Sequence, residues 1–161
     1  MLLVLEASVV LVSQRTERQI PYCQFCTDYR QTAMAPDELI AEIKIPIPPL
    51  EGVQYWRKVG TRSAQATSKV MVAGFGKLDG KRLISAGFIA NRPIRLTAVE
   101  ELLLSNILDR SVLDRDHKLI NRTVEPISDI RPAASYRRMV TANLVSVFLE
   151  QLLAIMLATS E

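Results

Sequence analysis

The spacing of apolar residues changes character along this chain, from a period of two in its first half to a helical period in its last third. SVVLVSQRTERQIPY, starting at Ser8, predicts a β-hairpin: an apolar run, a polar turn around Gln14 to Glu17, then a return strand. MAPDELIAEIKIPIPPLEG places Leu39, Ala41, Ile43, Ile45 and Ile47 on one face of a strand, with Glu42 and Lys44 on the other. Ile40 breaks the alternation, because it is an apolar residue on the polar face. Either a neighbouring loop covers it or a flat apolar ligand lies against it. The prolines of PIPPLEG end this strand and mark a boundary between two units, 1–50 and 51–161.

Beyond that boundary, YWRKVGT and SKVMVAGFGKL predict two strands with a loop between them. KLDGKRLISAGFI sets Asp79 and Gly80 between apolar runs, the residue types that a two-residue type I′ turn requires. TAVEELLLSN predicts a helix opened by Thr97 and Glu100 at capping-box spacing and closed at Asn106. A second helix is predicted over SVLDRDHKLINR, where Ser111 and Asp114 stand at similar spacing. The last helix takes Pro132 at its first position and repeats Val140, Leu144, Phe148, Leu152 and Ile155 on one face. From Leu152 to Ala158 it is apolar on every side, so that end is expected to pack against a partner or a second copy, giving an oligomer.

Composition narrows the class. At 161 residues and 48% apolar, the chain supports one ordinary domain, or a small domain with an appendage, and a disordered class is excluded. MLLVLEASVVLV has no basic segment before it and is interrupted by Glu6, while NLVSVFLEQLLAIMLATS is broken by Glu150 and Gln151. No transmembrane helix is therefore expected, and the chain reads as cytoplasmic. A net charge of +3 and a pI near 9.0 permit an anionic ligand, but no basic run of five occurs, so nucleic-acid binding is poorly supported. The distribution of charge says more: from Gly52 to Leu78 there is no Asp or Glu, although the chain carries 17 of them. Arg57, Lys58, Arg62, Lys69 and Lys77 share that segment without an internal anionic partner.

Most catalytic signatures are missing. Cys23 and Cys26 stand at the spacing of a redox dithiol or half a zinc site, but the single histidine, His117, is far away and no third thiol exists. IPYCQFCTDYR reads as the irregular end of a strand followed by a turn, and two semi-buried small side chains beside Phe25 are the simpler reading. His117 lies in RDHK, the setting of a solvated surface imidazole. GFGK at 74–77 lacks the spacing of a dinucleotide or phosphate loop and precedes a hairpin turn instead of a helix.

Three stretches carry a family resemblance: DYRQTAMAPDELIAEIKIPIP, YWRKVGTRSAQATSKVMVAG and DIRPAASYRRMVTANL. In order and spacing the chain resembles the flavin-carrying subunit of molybdenum hydroxylases, the family of xanthine dehydrogenase and of the medium subunit of aerobic carbon monoxide dehydrogenase. The resemblance implies an α+β fold in which a small antiparallel sheet carries helices, like the CO dehydrogenase flavoprotein C-terminal domain. Residues 51–161 would form that domain, and residues 1–50 the C-terminal remnant of a flavin-binding domain.

The resemblance implies FAD as cofactor, in a site that is incomplete in this chain because the family's two glycine-rich phosphate loops lie in an N-terminal half. It also implies a molybdenum-binding large subunit and a small subunit with [2Fe-2S] clusters as partners. Ile40 matches an aliphatic residue that the family places against the isoalloxazine ring, and Lys58 matches a lysine near the flavin. Lys69 and Arg62 belong to a loop that borders the flavin. At the loop's centre, Ser63, Ala64, Gln65 and Ala66 replace the acidic residues of the animal enzymes, which puts nicotinamide as acceptor in doubt. A different class of function also fits, a cofactor-free scaffold that docks partner subunits through the apolar C-terminal helix.

Overall fold

The computed structural model describes residues 1–60, 68–77, 80–105, 108–123 and 134–159. Among the described residues there are two larger antiparallel sheets and one short two-stranded pair. β1 (Ser8–Val12) pairs with β2 (Glu17–Pro21) across the predicted turn, where the Ser13 N–H donates to Thr16 O at 2.8 Å. YCQF forms one helical turn, α1 (Tyr22–Phe25), in place of the expected irregular strand end. The short pair β3 (Cys26–Asp28) and β4 (Gln31–Thr32) follows. β5 (Leu39–Lys44) returns to the free edge of β1, giving the order β2-β1-β5.

The pairing of β5 corrects the expected alternation. Leu11 stands opposite Ile40 and Val10 opposite Glu42, with a register shift between Val10 and Leu11. Ala41 is thus an extra residue in a β-bulge, and the bulge moves Ile40 onto the face that also carries Ile43, Val9 and Leu11. Ile40 is not misplaced. Every residue of β5 is exposed, so the face expected from Leu39, Ala41 and Ile43 is not buried in this chain.

The second sheet has the order β6-β7-β8-β9, built from β6 (Val53–Gly60), β7 (Ser68–Gly76), β8 (Arg82–Gly87) and β9 (Ile94–Arg95). Lys77 N donates to Lys81 O at 3.0 Å to close the β7–β8 hairpin. Leu78 and Asp79 lie outside the described residues. Gly80 does not adopt the positive φ of a type I′ turn, because no described glycine does.

Three helices cover one face: α2 (Thr97–Ser105), α3 (Arg110–Thr123) and α4 (Ala134–Thr159). Phe148, Leu149 and Leu152 of α4 are fully buried with Val70, Val72 and Ile84 of the sheet. Phe148 meets Tyr55 with ring centroids 5.7 Å apart. α4 crosses β7 closely because Gly74 has no side chain; a Cβ there would meet the Phe148 ring at 2.7 Å. By length and composition α4 could cross a membrane, contrary to the expectation from its sequence, yet its buried stripe makes it the core helix of the domain.

The caps also differ from expectation. Asp109 Oδ1 accepts from Val112 N and Ser111 Oγ at 2.9 and 2.8 Å, so Asp109, not Ser111, caps α3, and these hydrogen bonds lower its pKa. Glu100 forms no capping box with Thr97. It is buried, where it accepts from Ile84 N at 2.8 Å and pairs with Arg95. The expected closure at Asn106 and the first-position Pro132 lie outside the described residues. His117 is half-buried and reaches Asn143 of α4 at 3.2 Å, so it joins two helices instead of standing in solvent.

Candidate functional site

Alternation in the second sheet sorts its side chains onto two faces. Tyr55, Val70, Val72, Ile84 and Ala86 point to the helices. Trp56, Lys58, Met71, Ala73, Ser85 and Gly87 therefore stand on the opposite face. The register arranges them in two rows, Trp56–Ala73–Ser85 and Lys58–Met71–Gly87. Further along this face, Val4 and Leu5 pack on Ala73, Phe75 and Leu83 and fasten the N-terminal segment across the sheet.

Between that segment and the sheet lies a cavity of about 980 Å³. Trp56, Met71, Ala73, Ser85 and Gly87 form its floor, and Leu2 and Leu3 lie across from them. Tyr22, Tyr29 and Phe88 add three aromatic rings, and Asn91, Arg92 and Arg137 add polar groups. Lys58 completes the second floor row at its edge, exposed and directly opposite Met71.

The walls are held in place by specific contacts. Arg92 Nη1 donates to the carbonyls of Cys26 and Cys23 at 3.2 and 3.4 Å, and Asn91 Nδ2 donates to Asp28 Oδ1 at 3.0 Å. The 88–93 loop thereby grips the α1–β3 turn. Phe88 has φ 65°, a left-handed conformation that costs a bulky residue about 1–2 kcal/mol. Arg137 Nη1 donates to Phe88 O and holds it there. Tyr22 stacks on Phe25 with centroids 6.1 Å apart; burial raises its phenol pKa, and the neighbouring Cys26 thiol adds to the effect.

The residues expected from sequence are distributed over both sheets. Lys58 pairs with Met71 of the floor without lining the cavity itself, whereas Ile40 lies on edge strand β5 of the other sheet and is 46% exposed. Lys69 turns its ammonium to the Tyr136 ring of α4, 5.5 Å from the centroid. Arg62 and the Ser63–Ala66 loop centre lie outside the described residues. Trp56, Phe88 and Arg92 were not singled out from sequence. The exposed-face parity of Trp56 with Lys58 was a usable signal, while the position of Phe88 depends on a tertiary clamp that no local pattern encodes.

The chemistry available here is recognition, not proton or acyl transfer. Both cysteines are free thiols, Cys23 exposed and Cys26 half-buried. Among the described residues no three His, Cys, Asp or Glu side chains converge to hold a metal. A cavity rich in aromatic rings with cations at its edge suits a flat ring whose rim carries oxygen or negative charge. An isoalloxazine has that form, so the residues present fit the ring of a flavin.

Comparison with known proteins agrees with this geometry. Residues 56–152 match the family model of the CO dehydrogenase flavoprotein C-terminal domain, and residues 1–48 match the FAD binding domain in molybdopterin dehydrogenase. The carbon monoxide dehydrogenase medium chain of Afipia carboxidovorans is 33% identical over 118 residues, covering 68% of this chain and 41% of the relative. The aldehyde oxidoreductase FAD-binding subunit PaoB of Escherichia coli is 36% identical over 77 residues, 48% of this chain and 24% of the relative. A crystal structure of the Cu,Mo-CO dehydrogenase in its cyanide-inactivated form superposes with a TM-score of 0.83 at 24% identity, over 92% of this chain and 54% of that one. The chain thus spans about half the length, or less, of the relatives it matches. Its fold is the mixed α+β arrangement of those flavoprotein chains, and the protein belongs to the CO dehydrogenase flavoprotein C-terminal domain family.

Proposed function

We propose that this chain is part of the flavoprotein electron-transfer subunit of a molybdenum hydroxylase of the xanthine, CO or aldehyde dehydrogenase kind, acting in the cytoplasm. FAD, when bound, takes electrons from iron–sulfur clusters of a small partner subunit, fed by a molybdenum centre in a large one, and gives them to an external acceptor. The observation that carries this reading is Lys58, in a segment without carboxylates, paired across the strands with Met71 of an aromatic cavity floor.

The chain's own residues wall and tune such a site. Lys58 presents a cation to the place where negative charge grows on reduction, which raises the reduction potential. Ile40 offers an apolar contact from the first sheet, and Lys69, braced on Tyr136, lies two residues along β7 from Met71 of the floor. Units 1–50 and 51–161 meet at the cavity, the first as the remnant of the flavin-binding domain. No residue of this chain needs to act as acid, base or nucleophile.

The test is the flavin potential of the assembled complex with Lys58→Ala. Removing one partly solvated cation is expected to lower the two-electron potential by on the order of 30 mV, the equivalent of about 1.4 kcal/mol. An unchanged potential in a correctly assembled, FAD-loaded complex sinks the assignment of Lys58. A cofactor-free docking module is the second reading, favoured by Met139, Val147, Ile155 and Leu157, which α4 leaves exposed. That reading expects an assembled complex with no flavin in this subunit.

A further inference from the structure

Cys23 and Cys26, the only two cysteines of the chain, are free thiols that the flavoprotein reading does not use. An irregular strand end would leave their separation open, but the structure sets Cys23 inside the helical turn α1 and Cys26 at its C-cap. Residues three apart on such a turn share a face, with Cα atoms about 5 Å apart. A disulfide spans about 4.4–6.8 Å between Cα atoms, so the pair is within range. Cys26 Sγ reaches back to Tyr22 Oη at 4.0 Å, which turns the thiol towards the start of α1, the side that carries Cys23. Cys23 is exposed, Cys26 is half-buried, and the buried Phe25 anchors the turn.

The same two residues are held from the other unit. Arg92 Nη1 donates to Cys26 O at 3.2 Å and to Cys23 O at 3.4 Å. Helical geometry keeps Cβ atoms three residues apart at about 5–6 Å, whereas a disulfide needs about 3.5–4.5 Å. Closing the bond therefore tightens the turn by about 1–2 Å and shifts the carbonyls on which Arg92 rests. α1 has no side-chain cap at its start, so no hydrogen bond there resists the movement.

We propose that Cys23 and Cys26 form a reversible intramolecular disulfide whose closure loosens the hold of Arg92 on the α1 turn, so that a thiol switch governs how the 88–93 loop grips the first unit. The oxidant is a low-molecular-weight disulfide. The Cys23 thiolate attacks one of its sulfurs, its S–S bond breaks, and one thiolate leaves. The Cys26 thiolate then attacks the Cys23 sulfur of the mixed disulfide and expels the second. Both electrons leave with the two expelled thiolates, which take up the two protons lost by the cysteines. A disulfide that closes only by moving its turn is readily reduced, the character of a switch and not of a permanent cross-link.

The test is to equilibrate the 161-residue chain with mixtures of glutathione and glutathione disulfide, trap free thiols with N-ethylmaleimide, and weigh the tryptic segment 19–30, which holds both cysteines. The expected product is that segment lighter by two hydrogens and unalkylated, in a proportion set by the mixture and reversed by added glutathione. Cys26→Ser is expected to stop at the mixed disulfide on Cys23. Arg92→Met keeps the stem of the side chain and removes its donors. Because coupling is reciprocal, it is expected to shift the native equilibrium about tenfold towards the disulfide, and to leave the equilibrium of the urea-unfolded chain unchanged.

Two free thiols at every mixture, glutathione on both cysteines, or a disulfide between chains overturns the proposal. An unchanged native equilibrium in Arg92→Met, with the circular dichroism of wild type, overturns the link to the 88–93 loop. The Cys26→Ser result decides the disulfide even where the Arg92 variant fails to fold.

Discussion

Arg18 Nε and Nη2 donate to the two carboxylate oxygens of Glu38 at 2.6 and 2.8 Å, and the Ala35 N–H adds a third donor at 2.6 Å. The Arg18 hydrogen bonds, then that of Ala35, hold the Glu38 pKa down to about 2 from the ordinary 4.5. A depressed carboxylate contributes its full stability above the unfolded pKa, and the contribution is lost as pH falls from about 4.5 towards about 2. Glu38→Gln is therefore expected to lower the urea midpoint at neutral pH and to converge with wild type near pH 2. Midpoints that stay equally far apart at both ends of the series would assign the effect to packing instead of charge. At this scale the acid-free segment around Lys58 is read directly from the sequence, and so is the place of Lys58 on the same strand face as Trp56. The left-handed angle of Phe88 is not, because its carbonyl is held by Arg137, 49 residues away.

At the scale of elements, glycine placement decides how closely α4 lies on the sheet. Gly74 sits under the Phe148 ring and Gly76 under Leu152, whose Cδ2 a Cβ would meet at 3.0 Å. Gly74→Ala is expected to destabilise the domain by about 1–3 kcal/mol through overpacking, read as a lower urea midpoint. Phe148→Leu should recover part of that loss in the double variant, and strictly additive losses would mean that the ring and the glycine do not share a contact. β5 shows the opposite situation. Ile43 is 47% exposed whereas Leu11 is fully buried, so Ile43→Ser is expected to cost below about 0.5 kcal/mol and Leu11→Ala about 2–5 kcal/mol. Period-two counting located β5 but not its bulge, since an extra residue is defined only by the partner strand. Capping spacing located α2, while the carboxylate of Glu100 was taken by Arg95 and the Ile84 amide, partners that sequence proximity does not reveal.

Across the whole molecule, the two sheets are bound into one body by three kinds of contact. Val4 and Leu5 pack on Ala73, Phe75 and Leu83; Glu6 pairs with Lys81 at 2.6 Å; and the 88–93 loop holds the α1–β3 turn through Asn91 and Arg92. The ion pair is half-exposed and contributes little, so the apolar contact and the loop carry the junction. Residues of both units line the cavity at that junction. The family resemblance assigns the phosphate-holding loops to residues outside these 161, so the isolated chain is expected to bind FAD and lumiflavin, which has the flavin ring and no phosphates, with affinities within a few-fold of each other, both weak. Isothermal titration with the two ligands checks this. FAD binding a hundredfold or more tighter than lumiflavin would place a phosphate site in this chain and shift the functional weight from the aromatic cavity to residues near it, with Arg92 the first to substitute.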